Sequence, residues 1–309
     1  MERLRGAAAL LFPVLFGAAL LLFPDVSAAA AREGVTLCLQ TVLPSLFPFF
    51  VLSSLLVQSD VPRLLSRAMA GVMHPLFGVS GVGASALILG LLGGYPVGAR
   101  TVAELYGRGE ITREEAEQLL AFCNNSGPGF FLGVCGTAVF GSVRAGMYLY
   151  LIHVGAALVT GVLLRRDLGL PRRRAVPRQR APFDLAAALP AAVQGSFAAV
   201  GCVSAFVIFF MVLLRLLSLV PALAALPPLP RAALFGLVEM TNGVNALPAT
   251  RAGFVLCAAV MNWGGLSVQA QTRAMLAGSG LSARRCVIGK AVQALVGIPL
   301  ALLAAGRLF

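Results

Sequence analysis

Charge is scarce in this chain. Only 12% of its 309 residues are Asp, Glu, Lys or Arg, and the 12 acidic residues face 24 basic ones. Of those bases only Lys290 is a lysine. With 59% hydrophobic residues and a mean hydropathy of +0.89, the chain cannot clothe a soluble domain of any size. The six cysteines (Cys38, Cys123, Cys135, Cys202, Cys257, Cys286) are scattered through apolar runs. None forms a CxxC pair, and neither histidine, His74 or His153, stands at ligand spacing from them. They read as small core residues, not as a zinc, haem or disulfide framework. HExxH, GxSxG and paired intramembrane carboxylates are missing, and Cys123 has no base near it in sequence, so no catalytic or metal-binding residue is nominated and an enzyme is not expected. The net charge of +12 invites a nucleic-acid partner, but the arginines cluster between apolar segments, as topology signals do. No nucleic acid and no cofactor are therefore expected; the partner is the lipid bilayer.

Apolar segments are plentiful, and several are interrupted. Glu2, Arg3 and Arg5 precede the run Gly6–Phe23, which reads as a retained first span, although VSAAAA at Val26–Ala31 resembles a signal-peptidase site. The next segment, Gly34–Val57, carries Pro44 and Pro48 and should kink or break near its middle. Arg63–Phe77 looks amphipathic and surface-lying. GLLGGYPVGAR, with Gly94, Tyr95 and Pro96 at its centre, cannot be an ordinary helix core. Arg100 and Glu104 are spaced to pair across one turn. Thr112 followed by Glu115 is a capping box opening a helix that runs into AFCNNSGPGFFLG at Ala121–Gly133. Pro128 lacks an N–H and the glycines weaken the helix, so it should break there. At membrane depth each unpaired backbone group costs several kcal/mol, so such a break must be buried in protein or line a wet cavity. Val143–Leu164 is a plain span, and Arg165–Arg180 an arginine-rich linker near the midpoint.

The second half repeats the order of parts. A long span interrupted by Gln194, Gly195 and Ser196 is followed by GLVEMTNGVNAL, by a helix breaking at NWGGLS, and by a final span, Cys286–Ala304. Glu239 is the one carboxylate lying well inside an apolar segment. The arginines put the N-terminus and the linker in the cytoplasm and give the halves opposite orientation if Thr112–Phe140 is a re-entrant hairpin. Arg251, Arg273, Arg284, Arg285 and Lys290 then mark the cytoplasmic side of the second hairpin, and the C-terminus lies outside. The expected fold is an all-α polytopic membrane protein: an inverted-repeat bundle of about seven full spans with two opposed re-entrant broken-helix hairpins.

PSLFPFF at Pro44–Phe50, GGYPVGA at Gly93–Ala99, ITREEAEQLLAFCNNSGPGFFLG at Ile111–Gly133 and GGLSVQAQ at Gly264–Gln271 together resemble the YlbJ-type sporulation integral membrane proteins. These stand among the nucleoside-recognition (Gate) domain proteins. The resemblance implies a multi-pass protein of the bacterial cytoplasmic membrane, acting in spore cortex formation or a related envelope step. Glu239 with Thr241 and Asn242 matches the group's acidic-Thr position, while Gln269 stands where a His is common. The chain then divides into an N-terminal span or signal anchor (1–33), a first Gate-like repeat (34–164), a basic cytoplasmic linker (165–183) and an inverted second repeat (184–309). The expected activity is transporter-like movement or binding of a small polar, nucleoside-like solute. The alternative is a non-transporting structural or regulatory component of the sporulation machinery. The solute-binding residues would be the first tip (Asn124, Asn125, Ser126), the Gly94–Tyr95–Pro96 break, Glu239 with Thr241, Asn242 and Asn245, the second tip (Asn262, Gly264, Gly265, Ser267, Gln269) and Gln194. Glu239 would carry a coupling H⁺ or Na⁺, and a homo-oligomer is the further partner expected.

Overall fold

In the computed structural model, residues 2–169 and 183–308 are described; the linker expected at 165–183 lies mostly outside them. Among the described residues every regular element is helical. Four helical stretches are long and apolar enough to cross a membrane: Val143–Leu163, Leu185–Leu217, Arg251–Met275 and Arg284–Ala305. Two bent pairs, Leu10–Leu22 with Pro24–Gln40 and Val61–Phe77 with Gly81–Gly93, turn by 101° and 100° and raise the count to at most six. The expectation was about seven full spans. The difference arises because several apolar segments are divided into pieces too short to cross alone. Large apolar side chains such as Leu21, Phe197, Leu295 and Leu303 are exposed on the outside, as a lipid-facing surface requires.

Local sequence explains the pieces. Helix α1 (Glu2–Leu22) turns into α2 (Pro24–Leu37), whose first position is a proline. VSAAAA lies inside α2, where Ala30 packs against Val212 and Leu216. The kink expected in the second segment is a π-helical stretch, Cys38–Val42, leading into α3 (Leu43–Gln58) with Pro44 in its first turn. Helix α4 (Val61–Phe77) is amphipathic, burying Pro62, Ser66, Ala70, Met73 and Phe77 on one stripe. Helices α5 (Ala84–Gly93) and α6 (Val97–Gly107) are separated at Gly94–Pro96, where Gly94 has φ +81° and the Tyr95–Pro96 peptide is cis. Arg100 pairs with Glu104 at 2.9 Å. Helix α7 (Arg113–Leu120) starts at the expected cap, Thr112 Oγ1 accepting from Glu115 N at 3.2 Å. After α7 comes an irregular stretch, then a π-helix (Phe130–Val139) and α8 (Val143–Leu163).

The second half has α9 (Leu185–Leu217), the single turn α10 (Pro221–Ala224), α11 (Pro228–Val238) and α12 (Met240–Asn245). Then follow α13 (Arg251–Trp263), α14 (Gly265–Met275) and α15 (Arg284–Ala305). Two apolar cores result. One gathers Met73, Phe77, Leu105, Leu119, Phe122, Cys123 and Cys286; the other gathers Phe131, Leu149, Phe254, Met261 and Ala301. Along three separate strands of chain, buried polar residues fall in the interval between a member of the first core and a member of the second. Asn124–Ser126 stand between Cys123 and Phe131, and Lys290 and Gln293 between Cys286 and Ala301. His153 lies between Leu149 and Leu158, which belong to the second and first cores.

Candidate functional site

The first break runs from Ala121 to Gly127, and Asn124, Asn125 and Ser126 are all buried in it. Helix resumes at Pro128, whose missing N–H loses nothing at a helix start. The backbone groups freed by the break are taken up by side chains, as burial demands. Asn125 Nδ2 donates to the Phe122 carbonyl at 2.8 Å. Asn124 Nδ2 donates to Thr272 Oγ1 on α14 at 2.8 Å, and its Oδ1 accepts from Ala99 N at 3.4 Å. Ser126 N donates to His153 Nε2 on α8 at 3.1 Å. Close approach needs bare backbone on the facing helices: a Cβ at Gly90 or Gly98 would overlap the Cys123 carbonyl.

The second break falls at Gly264 and Gly265, with φ of +80° and +79°. Asn262 Nδ2 donates to Ala258 O at 2.8 Å and Trp263 Nε1 to Leu237 O at 3.0 Å. Tyr95, from the Gly94–Pro96 break, donates its hydroxyl to Met261 O at 3.3 Å. So a break in the first half satisfies a carbonyl beside a break in the second.

The two Asn tips meet on α15. Gln293 Nε2 donates to Asn125 Oδ1 at 3.1 Å and to Asn262 Oδ1 at 3.0 Å. Lys290 Nζ donates to Asn125 Oδ1 at 3.1 Å and to Gln293 Oε1 at 2.7 Å, and lies 5.0 Å from the centre of the Tyr95 ring. His153 ties the first tip to Gln293 as well, its carbonyl accepting from Gln293 Nε2 at 3.3 Å. The amide of Ser126 can only donate, so Nε2 is the acceptor and the neutral ring carries its proton on Nδ1. That side of the ring lies 3.4 Å from Gln293 Nε2 on α15. Lys290, Gln293, His153 and Asn125 are all fully buried, and Asn262 is 1% exposed.

Of the residues nominated from sequence, Asn124, Asn125, Ser126, Tyr95 and Asn262 are brought together here. Gly94, Pro96 and Gly264 form the backbone around them: Gly94 stands against Gly127, and Gly264 against the Tyr95 ring. Gly265 touches the Glu239 backbone. The Glu239 carboxylate does not enter the network. It caps α12, Oε1 accepting from Thr241 N at 3.1 Å and Oε2 from Asn242 N and Asn242 Nδ2, both at 2.8 Å. Asn242 and the exposed Asn245 instead line a surface cleft of about 560 Å³ with Arg215 and Arg231. Ser267 Oγ and Gln269 Oε1 are buried without a hydrogen-bond partner among the described residues; Gln269 Nε2 donates to Trp263 O at 3.3 Å. Gln194 is exposed on α9 and takes no part; its neighbour Ser196 bonds Arg100 at 3.3 Å.

Lys290, read from sequence as a cytoplasmic topology signal, is at the centre instead. Gln293, Thr272 and His153 are not among the residues nominated from sequence. A signal existed: Cys286, Gly289, Lys290, Gln293, Gly297 and Ala301 share one buried stripe of α15 at helical spacing. Gly289 lets that stripe approach, because a Cβ there would overlap the Ala121 carbonyl.

Apolar helices that break and meet through a buried polar layer define a multi-pass membrane protein, and the comparisons say what it resembles. Residues 39–145 match the family described as Gate, nucleoside recognition. Over 306 residues the chain is 28% identical to the sporulation integral membrane protein YlbJ of Bacillus subtilis (strain 168), covering 87% of this chain and 75% of that protein. The resemblance read from the motifs is the one these comparisons return. No solved structure matches. The Gate match contains Tyr95 and Asn124–Ser126 and ends before His153, Asn262, Lys290 and Gln293.

Proposed function

We propose that this is a transporter-like membrane protein of the Gate type, in which the two Asn tips form one site for a small polar, nucleoside-like solute. The observation that carries this reading is the convergence of Asn125 and Asn262 on the single amide of Gln293. Asn and Gln side chains offer donors and acceptors together, as recognition of an uncharged polar solute needs. The partnerless Ser267 Oγ and Gln269 Oε1 add unused hydrogen-bonding capacity beside the second break. Similarity to YlbJ, a sporulation integral membrane protein, supports a step in sporulation; its placement at the spore cortex or a related part of the envelope, in the cytoplasmic membrane, is part of this proposal.

An inverted repeat is supported by how contacts exchange between the halves. Helices α6 and α14 pack together, and so do their counterparts α12 and the π-helix; α7 packs on α15 as α13 packs on α8. His153 and Gln293, near the midpoints of the counterpart helices α8 and α15, stand 3.4 Å apart. In this reading Asn124–Ser126 and Asn262–Gly265 are the tips of opposed re-entrant elements, with the N-terminus cytoplasmic and the C-terminus outside.

One observation favours the second reading, a structural or regulatory membrane component: the polar layer is closed. Asn124, Asn125, Ser126 and Asn262 are all buried, none more than 3% exposed. Uptake of labelled uridine and adenosine into proteoliposomes separates the two. Uptake by the native chain that is lost with Asn125→Ala and Asn262→Ala, both still folded, is the expected result. A folded native protein that neither binds nor moves either nucleoside supports the structural reading. Coupling to H⁺ or Na⁺ through Glu239 is tested with Glu239→Gln: uptake that keeps its pH and Na⁺ dependence rejects it, and leaves Glu239 as the cap of α12.

A further inference from the structure

The chain uses arginine for every basic position except one, and the exception is fully buried. Arginine serves wherever a cation faces water or a carboxylate. At position 290 the requirement is different. An ammonium is a compact point charge, whereas a guanidinium is a planar fork that needs more room. The salt bridges among the described residues do not include Lys290. What surrounds its Nζ is acceptor-rich and neutral: Asn125 Oδ1 at 3.1 Å, Gln293 Oε1 at 2.7 Å and the face of Tyr95 at 5.0 Å. Amide oxygens and an aromatic face make a cage for a small monovalent cation, not for an anion. The cage draws one wall from the first break, one from the Gly94–Pro96 break and one from α15. The titratable groups nearest it are Cys123, Tyr95, His153 and Cys286, all buried and none of them a carboxylate; of the carboxylates on α7, which packs on α15, Glu115 is bonded to Ser80, Glu117 to Ser282, and Glu114 is exposed.

We propose that Asn125, Gln293 and Tyr95 form a monovalent-cation site of the primary-ammonium class, filled permanently by this chain's own Lys290. The tethered cation ties the first break to α15, and through Gln293 to Asn262, without any ion from solution. Any solute movement through this layer then needs no Na⁺ at the tips. The inference concerns what holds the breaks together, so it stands or falls apart from the nucleoside reading.

The test uses the full-length purified protein and reads its melting temperature, with NaCl, N-methylglucamine chloride or methylammonium chloride as the salt at constant ionic strength. The native protein should melt at the same temperature in all three. Lys290→Ala, which empties the cage, should melt at least ~5 °C lower in N-methylglucamine and recover saturably with methylammonium. Lys290→Met, which fills the volume without charge, should be lowered and not recover, and Lys290→Arg should not substitute for the native residue. If Lys290→Ala purifies only in methylammonium, the proposal holds; if it purifies in neither salt, the proposal fails. A native protein stabilised by Na⁺ or methylammonium, a Lys290→Ala protein as stable as the native one, or equal rescue of the Ala and Met variants would each overturn it.

Discussion

A methyl group at Gly98 has no room. It would overlap the Cys123 carbonyl, a backbone atom that cannot rotate aside. Gly98→Ala should therefore cost about 3 kcal/mol, the upper part of the overpacking range. Gly155→Ala is the control, because the nearest atom to a Cβ there is 3.9 Å away on Leu300. It sits within α8, so it should be neutral or stabilising by about 0.5–1 kcal/mol. Denaturant unfolding in detergent micelles reads both. Gln293 is the other residue on which much turns. Gln293→Leu keeps roughly the volume but leaves Asn125 Oδ1 and Asn262 Oδ1 without that donor and Lys290 without one acceptor. Lys290 still serves Asn125 Oδ1, so Asn262 Oδ1 is the group orphaned, and a loss of about 1–3 kcal/mol is expected in the same measurement. A loss below about 1 kcal/mol would mean that the network does not hold the tips together. Little of this was legible residue by residue: the glycines and asparagines announced breaks, but the partner of each is remote in sequence. Gly98 meets Cys123, and Asn125 meets Lys290.

At the scale of elements, sequence reading served well for where helices stop. Proline and paired glycines act on their own neighbours, so Gly94–Pro96, Ala121–Gly127 and Gly264–Gly265 are interrupted whatever surrounds them. The Thr112 cap and the Arg100–Glu104 pair are local in the same sense. What an element does between breaks is less local. The final span contributed no nominated site residue, yet α15 packs on α7, α8 and α13 and carries the residues that join both tips. Whether α7 and the π-helix form a hairpin that enters and leaves by one face is testable by labelling. Cysteines introduced at Glu114 and Arg144, both exposed, should react with an impermeant maleimide added to the same side of oriented vesicles. Labelling from opposite sides would make this segment a through-span and remove the re-entrant reading. The native cysteines give a low background, since all are buried except the half-buried Cys202.

For the whole molecule, the proposed inverted-repeat topology, with its N-terminus cytoplasmic, calls for an odd number of crossings. A reporter joined after residue 309 should therefore be active only on the outer side of the membrane. A cytoplasmic signal would break the inverted-repeat topology while leaving the buried polar layer untouched. Two apolar cores flank that layer, so the molecule is organised as polar tissue between apolar walls. Opening it, for a solute or for any other purpose, means separating groups that at present satisfy one another.

Composition and local pattern alone determined that this chain is a helical membrane protein and that its helices break at particular residues. Hydropathy is additive along the chain, and prolines and glycines act within a turn of themselves. Which breaks meet was decided only by the tertiary structure. Lys290 shows why: in sequence it stands with Arg284 and Arg285, so it reads as one more positive charge at a membrane face. In the folded chain α15 passes against the first break at Gly289, and the next side chain enters a cage built from residues 125, 95 and 293.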